Sequence, residues 1–96
     1  MNISERIYAA DQAKLVLENE AFQQAFKDIE QELTEQWKTS PARDPDGRES
    51  IWLMLKLLHK VEIALRASLD SGKLAAKELE YQQSMAQKAK AWVGLS

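Results

Sequence analysis

Residues 47–72, GRESIWLMLKLLHKVEIALRASLDSG, are the most apolar stretch of the chain and decide what its fold must bury. In a helix over 47–71, apolar side chains cover roughly half of the circumference at 100° per residue, and Ile63 lies near the opposite side. A helix that is apolar nearly all round normally lies at the centre of its domain. We therefore expect other helices, or another copy of the chain, to pack around it. The candidates for core or self-association are Ile51, Met54, Leu55, Leu58, Val61, Ile63 and Leu65.

The preceding segment, residues 20–38, predicts a surface helix with one buried stripe. Its apolar residues from Phe22 to Trp37 recur at helical spacing and occupy about one third of the circumference. The polar side is acidic, because residues 18–36 hold six acidic residues and one lysine. That side is either a solvated face or a docking face for a basic partner. Together the two segments predict an antiparallel helical hairpin.

Two further helices are expected to flank this hairpin. Residues 3–18 begin after Asn2, which predicts a capping box with Glu5, and their face holds small alanines that would let a neighbour approach closely. Asn19 predicts a break before the next helix, although one long bent helix is the alternative. Gly72 predicts the end of the central helix. Residues 73–92 then predict a peripheral C-terminal helix from their high helix propensity.

The loop at residues 39–46 lies within TSPARDPDGRES, the stretch in which both prolines of the chain occur. Pro41 is expected to stop the second helix, because proline restricts the residue before it and cannot donate a backbone hydrogen bond. The next helix starts either with an Asp44 cap and Pro45 at its first position, or with an Asp46 cap and Glu49. Local ion pairs between the arginines and aspartates of this loop are expected.

Two tryptophans flank the loop and are the best candidates for contact with a partner. Trp37 ends one helix and Trp52 lies near the start of the next, so an antiparallel hairpin would place both indoles at one end. They form either an aromatic lid on the core or an exposed anchor, since tryptophan and arginine are enriched in binding hot spots. Arg43 and Arg48 complete the candidate partner-contact patch.

The composition excludes several classes of function. The 96 residues include one histidine and no cysteine, so a thiolate metal site is excluded. The net charge is -2, so the chain has no excess of basic residues for binding nucleic acid. Motifs for zinc, phosphate or nucleophilic catalysis are absent from the sequence. His59, with lysines nearby, is predicted to be a solvated side chain. We therefore expect no enzyme activity, no cofactor, no metal and no membrane span.

Three motifs, QWK at 36–38, RDPDGRE at 43–49 and SGKLA at 71–75, occur in that order within residues 18–76. This segment resembles a family of small helical proteins of tailed bacteriophages and prophages, encoded among head-assembly and packaging genes and mostly uncharacterised. The resemblance implies a non-enzymatic role in virion or head assembly, in the host cytoplasm during infection or in the virion, with a phage head or packaging protein as partner. The alternative is a small regulatory, packaging or recombination accessory that acts on nucleic acid or on a nucleic-acid enzyme.

The complete prediction is an all-α protein with one helical domain over residues 1–96. The hairpin, with its N- and C-terminal helices, is expected to form a small helical bundle. Because a domain of this size leaves much apolar surface exposed, it is also expected to form a homo-oligomer.

Overall fold

Three helices make up nearly all of the protein. The structure, a computed structural model, describes residues 1–94: α1 spans Ile3–Glu18, α2 spans Glu20–Thr39 and α3 spans Pro45–Gly94. No strand occurs within this range. The predicted all-α class is confirmed, and the first two helices lie within one residue of their predicted bounds.

The predicted break at Gly72 is wrong. α3 continues through it for 50 residues and joins the segments 47–71 and 73–92 that were expected to be separate helices. No glycine in the described range has the positive φ that usually ends a helix at glycine. Because glycine inside a helix costs about 1 kcal/mol relative to alanine, its presence at this position calls for a reason in the packing.

That reason is a close crossing of α1 over α3. A Cβ atom built on Gly72 would overlap the Cβ of Ala10 and would lie 3.1 Å from the backbone oxygen of Arg6. Ala10, Ala13, Gly72 and Ala75 are all buried, and we call these four residues the Gly72 crossing. The prediction that small alanines on the first helix allow a close approach is confirmed. The helix signal that was interpreted as a stop is therefore a contact site.

Two asparagines define the ends of α1. The Glu5 amide donates to Asn2 Oδ1 at 2.8 Å, and the Glu5 carboxylate accepts from the Asn2 side-chain amide at 3.1 Å. Asn19 ends α1 and caps α2, since its Oδ1 accepts from the Phe22 amide at 2.9 Å. The chain therefore breaks at Asn19, and the alternative of one long bent helix is excluded.

α1 and α2 follow one another along α3 and run in the opposite direction to it. Trp37 of α2 lies beside Arg48 and Phe26 lies beside His59, whereas Arg6 of α1 contacts Ser71. Most cross-sections therefore contain only two helices, and the molecule measures 81 × 26 × 16 Å. This extended form differs from the small bundle that was predicted. Residues 80–94 of α3 are all exposed, and we call them the C-terminal arm.

Gly72→Ala tests the crossing. In a freely exposed helix this change would stabilise the protein by about 1 kcal/mol, because alanine has the higher helix propensity. Here the added methyl group must displace α1, so we expect a net loss of about 1–3 kcal/mol in the free energy of unfolding. Urea denaturation followed by circular dichroism measures this.

Lys73→Ala is the matched control, because Lys73 is the exposed neighbour of Gly72 in the same helix. It should change the free energy of unfolding by less than about 0.5 kcal/mol. A Gly72→Ala variant that is more stable than the wild type would show that α1 does not approach α3 at this point.

Candidate protein-interaction surface

The start of α3 is fixed by Asp44. The Gly47 amide donates to Asp44 Oδ1 at 3.1 Å, and Pro45 is the first helical residue. Of the two predicted starts, the structure has the one with Asp44 and Pro45, and the alternative cap at Asp46 is not used. A Cβ atom on Gly47 would crowd the Asp44 carboxylate, so the small residue leaves space for the cap.

Arg48 joins the end of α2 to the beginning of α3. Its Nη1 atom donates to the Ser40 backbone oxygen at 3.0 Å and to Ser40 Oγ at 3.2 Å. Its guanidinium lies 4.6 Å from the centroid of the Trp37 ring, a distance typical of a cation–π contact. Arg48 therefore fixes the corner through a backbone carbonyl and an aromatic face.

The predicted ion pairs in this loop are absent. Within residues 1–94, neither Arg43 nor Arg48 forms an ion pair with Asp44 or Asp46. Asp44 instead accepts from a backbone amide, and Arg48 binds Ser40 and Trp37. Arg43 is exposed in the loop and makes no side-chain hydrogen bond in the described range. Its guanidinium is left available to solvent or to a partner.

The structure assembles only part of the predicted contact patch. Trp37 and Arg48 touch, but Trp52 lies one helical turn beyond Arg48 and has Lys56 Nζ 4.1 Å above its ring. Both indoles are partly exposed, with a cation on one face. They offer flat apolar surface at one end of the molecule, and their contact with a partner stays a prediction.

His59 is exposed, as predicted for a solvated side chain, but it also makes a contact between helices that was not predicted. Its Nε2 atom lies 2.6 Å from Glu30 Oε2, and its ring stacks on Phe26 with centroids 6.3 Å apart. Phe26 in turn lies 6.1 Å from Phe22. No local sequence signal indicates this pair, because Glu30 lies on the polar side of α2 and 29 residues from His59.

One side of the α2–α3 contact is polar. Glu30 of α2 contacts His59 of α3 on this side. One turn further along α3, Glu62 accepts a hydrogen bond from Arg66 Nε at 2.9 Å. Gln23 and Lys27 of α2 line the same groove. These charged and amide groups are open to water, so this side has the character of an ordinary solvated surface.

Another side of α3 is apolar and uncovered. Met54, Leu57 and Val61, which we call the apolar stripe, follow one another at spacings of three and four residues and are all exposed. Leu53 beside them is also exposed. Leu53 and Leu57 are not among the contact residues predicted from the sequence. Their exposure could be found only once the position of α2 was known.

The predicted core and self-association residues therefore separate into two groups. Four of them face α1 or α2 and are half-buried: Ile51, Leu55, Leu58 and Leu65. Three of them are exposed: Met54, Val61 and Ile63. Ile63 lies about 120° around the helix from Leu57, at 100° per residue, so it belongs to a different surface.

An open groove extends the apolar stripe toward α1. It has a volume of about 650 Å³ and is lined mainly by apolar groups, among them Tyr8, Ala9 and Val16 of α1 and Leu65 of α3. Leu65 follows Val61 by one helical turn, so groove and stripe adjoin. The uncovered apolar surface is therefore shared by two helices, which increases the area that one partner could bury.

The part of the chain that the structure describes shows no sign of a metal site, an unsatisfied polar pocket or a membrane span. Across residues 1–94, no three histidine, cysteine or acidic side chains converge on a point that could hold a metal. In the same range, no buried side-chain nitrogen or oxygen lacks a hydrogen-bond partner. None of these helices combines the length and apolar character needed to cross a bilayer.

Comparisons with protein-family models, curated proteins and solved structures find nothing that matches this chain.

Arg48→Ala tests the corner. Loss of the Ser40 hydrogen bonds and of the contact with Trp37 should lower the free energy of unfolding by about 1–2 kcal/mol. Tryptophan emission should also shift to the red, because Trp37 gains exposure to water. Arg43→Ala is the matched control, since Arg43 makes no such bonds, and it should leave both readings close to wild type. Equal effects of the two variants would contradict the role assigned to Arg48.

Proposed function

We propose that this chain is a non-enzymatic protein that acts through protein–protein contacts and associates with itself through α3. The observation that carries the proposal is the apolar stripe. Leu57 is 63% exposed, and Met54 and Val61 on the same side of the helix are each 46% exposed. Contiguous exposed apolar surface of this kind marks interaction sites in soluble proteins.

The shape of the molecule supports self-association. In a structure that is only two helices thick, each helix can bury only the face that contacts its one neighbour. The apolar arc of α3 is wider than that face. Within residues 1–94, the hydrophobic residues that are more than nine tenths buried are three alanines: Ala10, Ala13 and Ala75. So small an interior stabilises a monomer only weakly. Burying the apolar stripe against a second copy would increase the buried apolar area and stabilise the fold.

The spacing of the stripe favours a helical occupant. Positions 54, 57 and 61 recur at intervals of three and four, which is how one helix presents a seam to another. A second copy of the chain supplies such a helix without any further component. A closed symmetric dimer is the simplest assembly of this kind.

The biological setting that we propose is assembly of a tailed bacteriophage. It rests on the resemblance carried by QWK, RDPDGRE and SGKLA within residues 18–76. In this setting the protein is a head-assembly or virion-associated component in the infected host. The proposed surface for a phage head or packaging protein is the end of the molecule at the α2–α3 loop, which holds Trp37, Arg43, Arg48 and Trp52. The indole and guanidinium groups there suit a protein partner.

Leu57→Asp tests self-association. We expect the wild type to be oligomeric by light scattering coupled to gel filtration. A carboxylate in the centre of the stripe cannot be buried without a partner, so Leu57→Asp should shift the protein to monomer while the chain remains predominantly helical. Circular dichroism checks the helix content.

Ile63→Asp is the matched control, because Ile63 is 64% exposed, nearly the same as Leu57, but lies on another side of α3. This variant should remain oligomeric. A monomeric wild type at all concentrations would contradict the proposal. Monomers formed equally by both variants would show that the association does not use the stripe.

The phage setting has its own test. In lysates of cells that assemble the phage, the protein should sediment with procapsids or virions. The Trp37→Ala variant should lose that association while keeping its oligomeric mass. Salt-sensitive binding to DNA without any association with particles would instead favour the nucleic-acid accessory role.

A further inference from the structure

A second exposed apolar surface lies on α1. Tyr8 is 67% exposed and Leu15 is 64% exposed, and Val16 beside Leu15 is exposed as well. At 100° per residue, Tyr8 and Leu15 point about 160° and about 140° away from Ala10, the residue that meets Gly72 of α3. They therefore lie on the side of α1 that is turned away from its own α3. We call Tyr8, Leu15 and Val16 the outer side of α1.

The apolar stripe has the same direction on α3 as the face that α1 buries. Met54 and Gly72 are 18 residues apart, which is five full turns at 3.6 residues per turn, so both point the same way. Leu57 and Ala75 are related in the same way. α3 therefore presents one side at two levels along its axis. At one level α1 buries Gly72 and Ala75, and at the other the stripe is exposed.

We infer that the outer side of α1 in one copy packs on the apolar stripe of a second copy, and that the reciprocal contact forms at the same time. This inference rests on the proposed self-association and names the helix that covers the stripe. Each α1 then lies between its own α3 and the α3 of the second copy. The contact leaves the Gly72 crossing intact, because it uses the opposite side of α1.

The positions of the two surfaces determine the direction of the helices. The outer side of α1 and the stripe lie at different levels of the molecule, so one two-fold axis forms both contacts only if it is perpendicular to the helices. The two α3 helices are therefore antiparallel. Since α1 runs opposite to its own α3, it runs parallel to the α3 of the second copy.

The spacing of the apolar residues indicates the register. Tyr8 and Leu15 are seven residues apart, as are Met54 and Val61, and parallel helices keep two such pairs level with each other. Tyr8 then faces Met54 of the second copy, and Leu15 faces Val61. Because Ala10 lies opposite Gly72, Tyr8 is level with residue 74 of its own α3. The two-fold axis therefore passes at the level of residue 64, halfway between 54 and 74.

The area available supports a reciprocal contact. Each copy contributes seven exposed large apolar side chains, which are the outer side of α1, the apolar stripe and Leu53. At on the order of 100 Å² each, they supply about 700 Å² per copy, close to the roughly 800 Å² per partner of a standard-size interface. A contact between two stripes alone would bury about half of this area and leave the outer side of α1 in water.

The chemistry of the two surfaces suits a buried contact. Gln12, which lies between Tyr8 and Leu15, is polar but uncharged, and the stripe carries no charge. The centres of protein interfaces are depleted in charged residues and enriched in aromatic residues and methionine. Tyr8 can bury its ring against Met54 while its hydroxyl stays at the wet edge of the contact.

Cysteine cross-linking tests this contact without background, because the chain contains no cysteine. Tyr8→Cys and Met54→Cys are prepared separately, then unfolded and refolded together, and treated with a short bismaleimide. We expect a cross-linked dimer in the mixture and little in either variant alone. Within one chain the two positions are about 30 Å apart along the helices, so a link between them must join two copies.

Trp52→Cys, mixed with Tyr8→Cys, is the matched control. Trp52 and Met54 are both 46% exposed, but they point about 160° apart on α3. This mixture should give little cross-linked dimer. Circular dichroism of each variant shows that it is folded, so a missing link cannot be attributed to unfolding.

Each other outcome overturns the inference in a distinguishable way. Efficient cross-linking of Met54→Cys alone would show that two stripes face each other. An oligomer in which Tyr8→Cys links no better to Met54→Cys than to Trp52→Cys would contradict the contact between α1 and the stripe but leave the proposed self-association standing. A protein that is monomeric before cross-linking would contradict both.

Discussion

The contact between Gly72 and Ala10 is the constraint on which the rest of the structure depends. Because Gly72 has no side chain, α1 can approach α3 closely enough to bury Ala10, Ala13 and Ala75. Arg6 then reaches Ser71 and the backbone beside it. This crossing attaches α1 halfway along a 50-residue helix, so the chain becomes an elongated pair of helices and the residues of its C-terminal arm stay exposed.

The same arrangement explains why one side of α3 stays apolar and open. With α1 and α2 end to end along α3, each level of the long helix has a single neighbour. The half-buried line of Ile51, Leu58 and Leu65 faces that neighbour, whereas Met54, Leu57 and Val61 stay exposed. The apolar arc of residues 47–72 is therefore wider than the face that the monomer can bury. The proposed self-association would cover the apolar surface that remains.

Local signals in the sequence were sufficient for the helix ends, because a cap depends on neighbours only a few residues away. Asn2, Asn19 and Asp44 all cap helices as their spacing predicts. Gly72 could not be interpreted in the same way, since a glycine that ends a helix and one that admits a neighbouring helix look alike until Ala10 is known to lie opposite. The three motifs that carry the phage resemblance also have structural tasks, among them the Trp37 corner and the crossing.

Contacts between distant residues could not be predicted from the sequence either, because they depend on how the helices are placed relative to one another. The contact of His59 with Glu30 joins positions 29 residues apart. The division of the apolar arc into covered and open sides likewise depended on where α2 lies. The central claim concerns this open side: a second copy of the chain covers the apolar stripe. Amide hydrogen exchange of residues 53–61 at several protein concentrations tests it most directly. Protection of these residues should rise with concentration and fall on dilution, whereas protection that is the same at every concentration would contradict the claim.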